Sequence, residues 1–194
     1  MKRFTITICS ALLFLVNVQA QTTDSAAMMK NWSEYMTPGK EHKMMASWDG
    51  TWNGDVTLWM APGQPPIQST TVSTNKMLMD GRYQSSVHKG NLMGMPFEGN
   101  STLAFDNAKK EFISTWIDNM GTGMMVSRGK WDDATKSLTL VGKMVDPSAG
   151  NGNEVPFREV WRVVDNDHQV MEMYGPDPSG KEFKTMEIKM TRKK

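Results

Sequence analysis

The sequence predicts an all-β protein: an antiparallel up-and-down β-barrel of about 8–10 strands with a short N-terminal helical segment. Three observations carry this. From Gly50 onward apolar residues alternate with polar ones at a period of two. The runs that alternate are rich in β-branched and aromatic residues. They recur at short, regular spacing, separated by clusters of Asn, Asp, Gly and Pro that serve as turns. An open sheet of so many strands would expose two pairing edges, so closure into a barrel is expected.

The first strand is expected over 51–60, ending at Pro62-Gly63-Gln64-Pro65-Pro66, which cannot continue a ladder. The second covers 69–79 and, after the Asp80-Gly81 turn, the third covers 82–88. Lys89-Gly90-Asn91 and Gly94-Met95-Pro96 mark a longer loop before the fourth, 97–105, where Phe97, Leu103 and Phe105 share a face. Asp106-Asn107-Ala108-Lys109-Lys110 turns into the fifth, 111–118. Asn119, Gly121 and Gly123 then supply the positive-φ residues of a tight hairpin into the sixth, 122–131. Four more strands follow at 137–145, 157–164, 168–174 and 182–191, with a polar loop over 146–153.

Ahead of the strands, 26–45 is the one helical candidate. Met28, Met29, Trp32 and Met36 recur at roughly helical spacing, Asp24 or Ser25 can cap the start, and Pro38-Gly39 breaks the run. A second short turn covers 40–47, and the region reads as a strap packed on the sheet. Before it, Lys2 and Arg3 precede an apolar stretch from Ile6 to Val18, and Val18-Gln19-Ala20 has the small residues of a cleavage site. The expected organisation is therefore a signal peptide over 1–20, a helical strap over 21–47 and one barrel domain over 48–194. Such a chain is exported, periplasmic or secreted, with no membrane insertion after cleavage. Cys9 is the only cysteine, so cleavage after Ala20 leaves neither disulfides nor thiolate metal sites.

Charge excludes some partners. The chain has 22 Lys+Arg against 21 Asp+Glu, and losing Lys2 and Arg3 leaves 20 against 21. Arg192-Lys193-Lys194 reads as a solvated end. Such a balance argues against nucleic acid or an anionic membrane surface as the partner.

Gly50-Thr51-Trp52, which follows a helical segment and opens the β region, resembles the Gly-x-Trp signature of lipocalins. The resemblance implies that Trp52 closes one end of the barrel under a basic residue from a late strand, for which Arg158 or Arg162 is the candidate. A wider resemblance runs over about residues 40–192. Its pieces are Trp48-Asp49-Gly50-Thr51-Trp52, Asp80-Gly81-Arg82-Tyr83, Pro96-Phe97-Glu98-Gly99, Phe105-Asp106-Asn107, the block from Ser114 to Gly123, and Met171-Glu172-Met173-Tyr174. Together these resemble domain-of-unknown-function family 1579, which implies a lipocalin-like barrel and brings no activity with it.

Alternation places Arg158, Val160, Arg162 and Val164 on one face of their strand, opposite Phe157, Glu159, Trp161 and Val163. Likewise Phe112, Ser114, Trp116 and Asp118 oppose Ile113, Thr115 and Ile117. Both faces are partly apolar, so periodicity leaves open which looks inward. If the first set faces a cavity, Arg158, Arg162, Glu172 and Asp118 orient a ligand's polar end. Trp52, Tyr83, Trp116 and Met124 complete the candidate ligand-binding set. If it faces solvent, the charges form a cross-strand salt-bridge ladder, worth roughly 0.2–1 kcal/mol per pair.

The 19 methionines allow three readings: core filler, an adaptable pocket lining, or a soft Cu(I) site with His42 near Met44 and Met45. In pairs such as Met77/Met79 both members are expected in ordinary core. Catalytic constellations are nearly absent: His42, His88 and His168 are scattered, and no nucleophile elbow, zinc-binding helix motif or phosphate loop occurs. No catalytic residue, cofactor or metal is assigned. The expected function is the binding of a small, largely apolar ligand with a polar end. The alternatives are a filled barrel serving as a structural or interaction protein, and an uncharacterised enzyme.

Overall fold

The computed structural model describes residues 19–147 and 150–194, with side chains from Asp24 onward. The leader expected over 1–20 thus lies outside the described side chains. The chain divides into two compact units, Met1–Met36 and Thr37–Lys194.

In the first unit, helix α1 runs from Gln19 to Met36. Trp32 and Tyr35 meet edge-on with centroids 6.2 Å apart, and Lys30 reaches Glu34 one turn later at 3.8 Å. Met28, Met29, Trp32, Tyr35 and Met36 are all exposed.

The second unit opens with α2 (Lys40–Ser47). Pro38-Gly39 separates the two helices, as a residue without an amide hydrogen and one without a side chain should. The Gly39 amide donates to His42 Nδ1 at 3.0 Å, so His42 satisfies one of the free amides at the helix start. Ten strands follow: β1 (Gly50–Leu58), β2 (Ile67–Leu78), β3 (Tyr83–Leu92), β4 (Met95–Asp106), β5 (Glu111–Asp118), β6 (Met125–Asp132), β7 (Ser137–Val145), β8 (Glu154–Val163), β9 (His168–Pro176) and β10 (Glu182–Arg192). Each is antiparallel to the next, and β10 returns to β1 in a register running from Trp52↔Arg192 to Leu58↔Met186. The barrel is closed, as the spacing of the turns predicts.

Two connections differ from expectation. The long loop foreseen over 89–96 is a tight hairpin: β3 and β4 stay paired to Leu92↔Met95, and Met93 (φ 52°) and Gly94 (φ 85°) make the turn. Two successive positive φ values match the twist of the flanking strands. The Asn91 side chain holds the turn by accepting from the Gly94 amide at 2.8 Å. The reverse holds after β5. Its pairing with β6 stops at Trp116↔Met125, a wider loop follows, and neither Gly121 nor Gly123 has a positive φ. Asn119, expected in a tight turn, is held by β4 instead. It exchanges hydrogen bonds with the Glu98 backbone at 3.0 Å each way, and its side-chain amide donates to the Pro96 carbonyl at 3.0 Å.

One end of the barrel is plugged. Met45 of α2 is fully buried, together with Trp48, Phe112, Leu138 and Leu140. Trp52, Met171 and Met190 form a second buried group. Met79, by contrast, sits exposed in the turn after β2 with φ 50°, so the Met77/Met79 pair is not all core. Burial also settles the faces: Phe157, Glu159 and Trp161 of β8 look inward, and Arg158 and Arg162 look out.

Candidate functional site

Beyond the plug the barrel is not filled. A cavity of ≈ 730 Å³, counted with its open mouth, has ≈ 60 Å³ open to the centres of water molecules. At roughly 10–15 Å³ per water, this holds a handful of waters or one small organic molecule.

The strand register builds a polar belt round it. Ser73 lies opposite His88 across β2 and β3, Ser86 opposite Ser101 across β3 and β4, and Ser114 opposite Ser127 across β5 and β6. Gln84 and Gln169 add amides, and Ser73, Gln84, His88, Ser127 and Gln169 are all buried. Gln84 is spoken for: its Nε2 donates to the Met45 carbonyl at 2.6 Å and to Asp49 Oδ1 at 2.9 Å. The five serine hydroxyls and the Gln169 amide make no side-chain hydrogen bond to another described residue. Small hydroxylated side chains, which leave room, alternate here with the large ones that close the ends.

Apolar walls complete the site. Leu103, Trp116, Met125, Leu138, Leu140 and Phe157 line it, with Trp161 beside Glu159. Trp116 is fixed on all sides. Its Nε1 donates to Asp118 Oδ2 at 2.7 Å, and its ring stacks on Phe97 at 6.3 Å and meets His88 edge-on at 5.1 Å. The ring also crosses Gly99 so closely that a Cβ there would sit 2.4 Å from it.

Two titratable groups line the cavity. Burial alone lowers the His88 pKa to about 4, so its imidazole is neutral near pH 7. Burial raises the Glu159 pKa to about 7, against the opposing effect of its hydrogen bond with Trp161. Among the described residues no Lys or Arg lines this cavity, so Glu159 has no cationic partner among them when it ionises.

Of the residues singled out from the sequence, Trp116 lines the cavity, and Asp118 orients it. Trp52 closes the plugged end, its Nε1 donating to the Trp48 carbonyl at 3.0 Å. The cation over its ring is Arg192, at 4.2 Å, rather than Arg158 or Arg162. β10 is the hydrogen-bonded neighbour of β1 and sets Arg192 opposite Trp52, whereas β8 lies two strands further round.

Tyr83 is on the outward face of β3, opposite in sense to Gln84, and Met124 is exposed in the loop before β6. The charges expected in the cavity lie outside it. Arg158 binds Glu182 through two hydrogen bonds of 3.0 and 2.7 Å and covers the Tyr174 ring at 3.9 Å. Glu172 takes Lys184 at 3.1 Å, the Tyr174 hydroxyl at 3.1 Å and Arg162 at 3.4 Å. This is the cross-strand ladder, with each charge satisfied by a neighbour on the sheet's outer surface. His42 is also engaged, by the Gly39 amide and edge-on by Phe105 at 5.9 Å.

Glu159, His88 and the serine belt were the residues the sequence reading passed over. A signal was present: the Arg158/Arg162 face carries two cations, the Phe157/Glu159/Trp161 face a single charge between aromatics. Arginine is almost never fully buried unless paired.

No curated protein matches the chain in sequence. Solved structures share its fold. Rv2717c from M. tuberculosis superposes with a TM-score of 0.61 at 11% identity, covering 81% of this chain and all of the other. The S-type phycobiliprotein lyase CPES from Guillardia theta gives 0.54 at 8% identity, covering 78% of this chain and 92% of that one. At such identities the likeness is one of fold. A family model spans nearly the whole second unit, residues 37–192, and by that match the chain belongs to the DUF1579 family, described as a protein of unknown function.

Proposed function

We propose that the barrel binds one small molecule in its interior, with an apolar, ring-sized body against Trp116, Met125, Phe157 and Trp161 and a hydrogen-bonding end among the serines, Gln169 and Glu159. A single observation carries this reading: five serine hydroxyls and the Gln169 amide, without side-chain hydrogen bonds to described residues, converge on a cavity whose other walls are aromatic and aliphatic. Among the described residues only Asn75 Oδ1 is both closed off and unpartnered; the serine hydroxyls and the Gln169 amide stay open to the cavity, where a complementary ligand can pair with them. A barrel acting only as a scaffold would be served by a filled interior, which this one is not. The lyase activity of the Guillardia protein is not carried over, because 8% identity supports the architecture alone. If the leader is removed as its residues suggest, binding takes place outside the cytoplasm.

The test is native mass spectrometry of the protein purified from its own source, beside a Ser114→Leu variant that fills the cavity. The wild type is expected to carry a small-molecule adduct, released on denaturation, that the variant lacks. An adduct-free wild type whose melting temperature no compound in a fragment library raises would overturn the reading.

A further inference from the structure

The inner face of the barrel is almost free of ionisable groups, and this points to the chemistry of the ligand's polar end. Among its described residues four side chains can ionise, and one of them, Arg192 on β10 opposite Trp52 at the plugged end, is a cation. His88 on β3 sits against Trp116, Asp118 on β5 is committed to the Trp116 indole, and Glu159 on β8 faces the cavity. Glu159's neighbours in register are Leu140 on β7 and Met173 on β9, neither charged. From the α2 side Asp49 reaches the belt, held by the Gln84 side chain and the Met77 amide. Arg192 is engaged at the plugged end: it lies over Trp52 and bonds the Asp49 and Ser47 carbonyls at 2.5 and 2.8 Å.

A carboxylate in such a place needs a positive charge that the protein does not supply. The walls around it, Trp161, Phe157 and Trp116, are of the kind that holds an organic cation, since an aromatic face attracts positive charge. An anionic ligand would meet Glu159 with no compensating base. Resting on the small-molecule reading above, we infer that the cavity selects a protonated amine, whose ammonium pairs with Glu159 and hydrogen-bonds the serine belt while its ring packs on the aromatic wall.

Three probes of one shape test this by calorimetry: benzylamine, benzyl alcohol and benzoate. At about pH 8, with Glu159 ionised, benzylamine is expected to bind at least roughly tenfold more tightly than benzyl alcohol, and benzoate most weakly. Glu159→Gln should bring the amine-to-alcohol affinity ratio close to one. A second readout needs no variant. Wild-type affinity for benzylamine should fall as pH is lowered from about 8 to about 5.5, because Glu159 is then protonated while His88 stays neutral. At about pH 7 binding should release roughly half a proton, measurable in buffers of different ionisation enthalpy.

Benzyl alcohol binding as tightly as benzylamine, or an amine preference that survives Glu159→Gln, overturns the inference and leaves the small-molecule reading standing. Failure of all three probes in the wild type overturns the inference, whereas the reading on which it rests falls separately, to a native protein that is adduct-free and that no library compound stabilises.

Discussion

Gly99 and Trp116 show how one residue's missing side chain sets another's position. The indole lies over the glycine, where a Cβ would be 2.4 Å from the ring, and Asp118 and Phe97 leave it no equivalent alternative. Gly99→Ala must displace the ring or the strand, at a cost of about 1–3 kcal/mol for an overpacked interior. Gly123 is the control: it has open space around it and no positive φ. Gly123→Ala should stay within about 0.5 kcal/mol of wild type. Urea unfolding of both variants checks this, and equal midpoints would mean that the close approach is not a constraint. Both residues of the contact stand in blocks that mark the family resemblance. The contact between them was not legible, because nothing local in a sequence sets Gly99 of β4 one position diagonal from Trp116.

Among the elements, strands were the most legible and closures the least. Turn residues act over two to four positions, so the limits of β5 and β7 follow directly from the sequence, and those of the other strands to within a few residues. What depends on a distant partner was missed. Asn119 looked like a turn residue until β4 claimed its side chain, and Arg192 looked like part of a solvated tail. In the closed barrel the last strand returns beside the first, and Arg192 becomes a clamp. It covers the Trp52 ring and donates to three backbone carbonyls: Asn166 at 3.0 Å, Asp49 at 2.5 Å and Ser47 at 2.8 Å. It therefore ties β10 to the segment between α2 and β1. Arg192→Lys keeps the charge but cannot reproduce the planar fork that serves several acceptors at once. A loss of about 2–4 kcal/mol is expected in chemical denaturation, with the released α2 end exchanging its amides faster. A lysine variant as stable and as protected as wild type would show that strand pairing alone closes the barrel.

For the molecule as a whole, the two titrating groups that line the cavity act on stability in opposite directions. The His88 pKa falls from 6.5 to about 4 on folding, so the fold prefers its neutral ring. Its contribution is complete above pH 6.5 and is lost as the pH falls towards 4. The Glu159 pKa rises from 4.5 to about 7, so the fold prefers its protonated form. That contribution is complete below pH 4.5 and is lost as the pH rises through 7. Between 4.5 and 6.5 the unfolded chain holds a proton on the histidine and the folded chain one on the glutamate, so the two slopes cancel. The surface carboxylates held low by hydrogen bonds or cations, such as Asp106, Asp177 and Glu182, add a rising slope only towards the lower edge of this window, where their unfolded forms take up protons. His42, whose pKa burial also lowers, adds a rising slope of its own, so wild-type stability should rise with pH across that range, less steeply than the histidines alone would make it. Glu159→Gln unmasks His88, which should add up to roughly 1.4 kcal/mol per unit to that rise. His88→Asn unmasks Glu159 and should give a slope of opposite sign, made shallower by His42. Urea midpoints at four or five pH values decide it: two variants with the slope of the wild type would mean that neither group is desolvated. Slopes of opposite sign would establish that the interior holds a neutral base and a reluctant acid, the electrostatic setting in which an arriving cation is favoured.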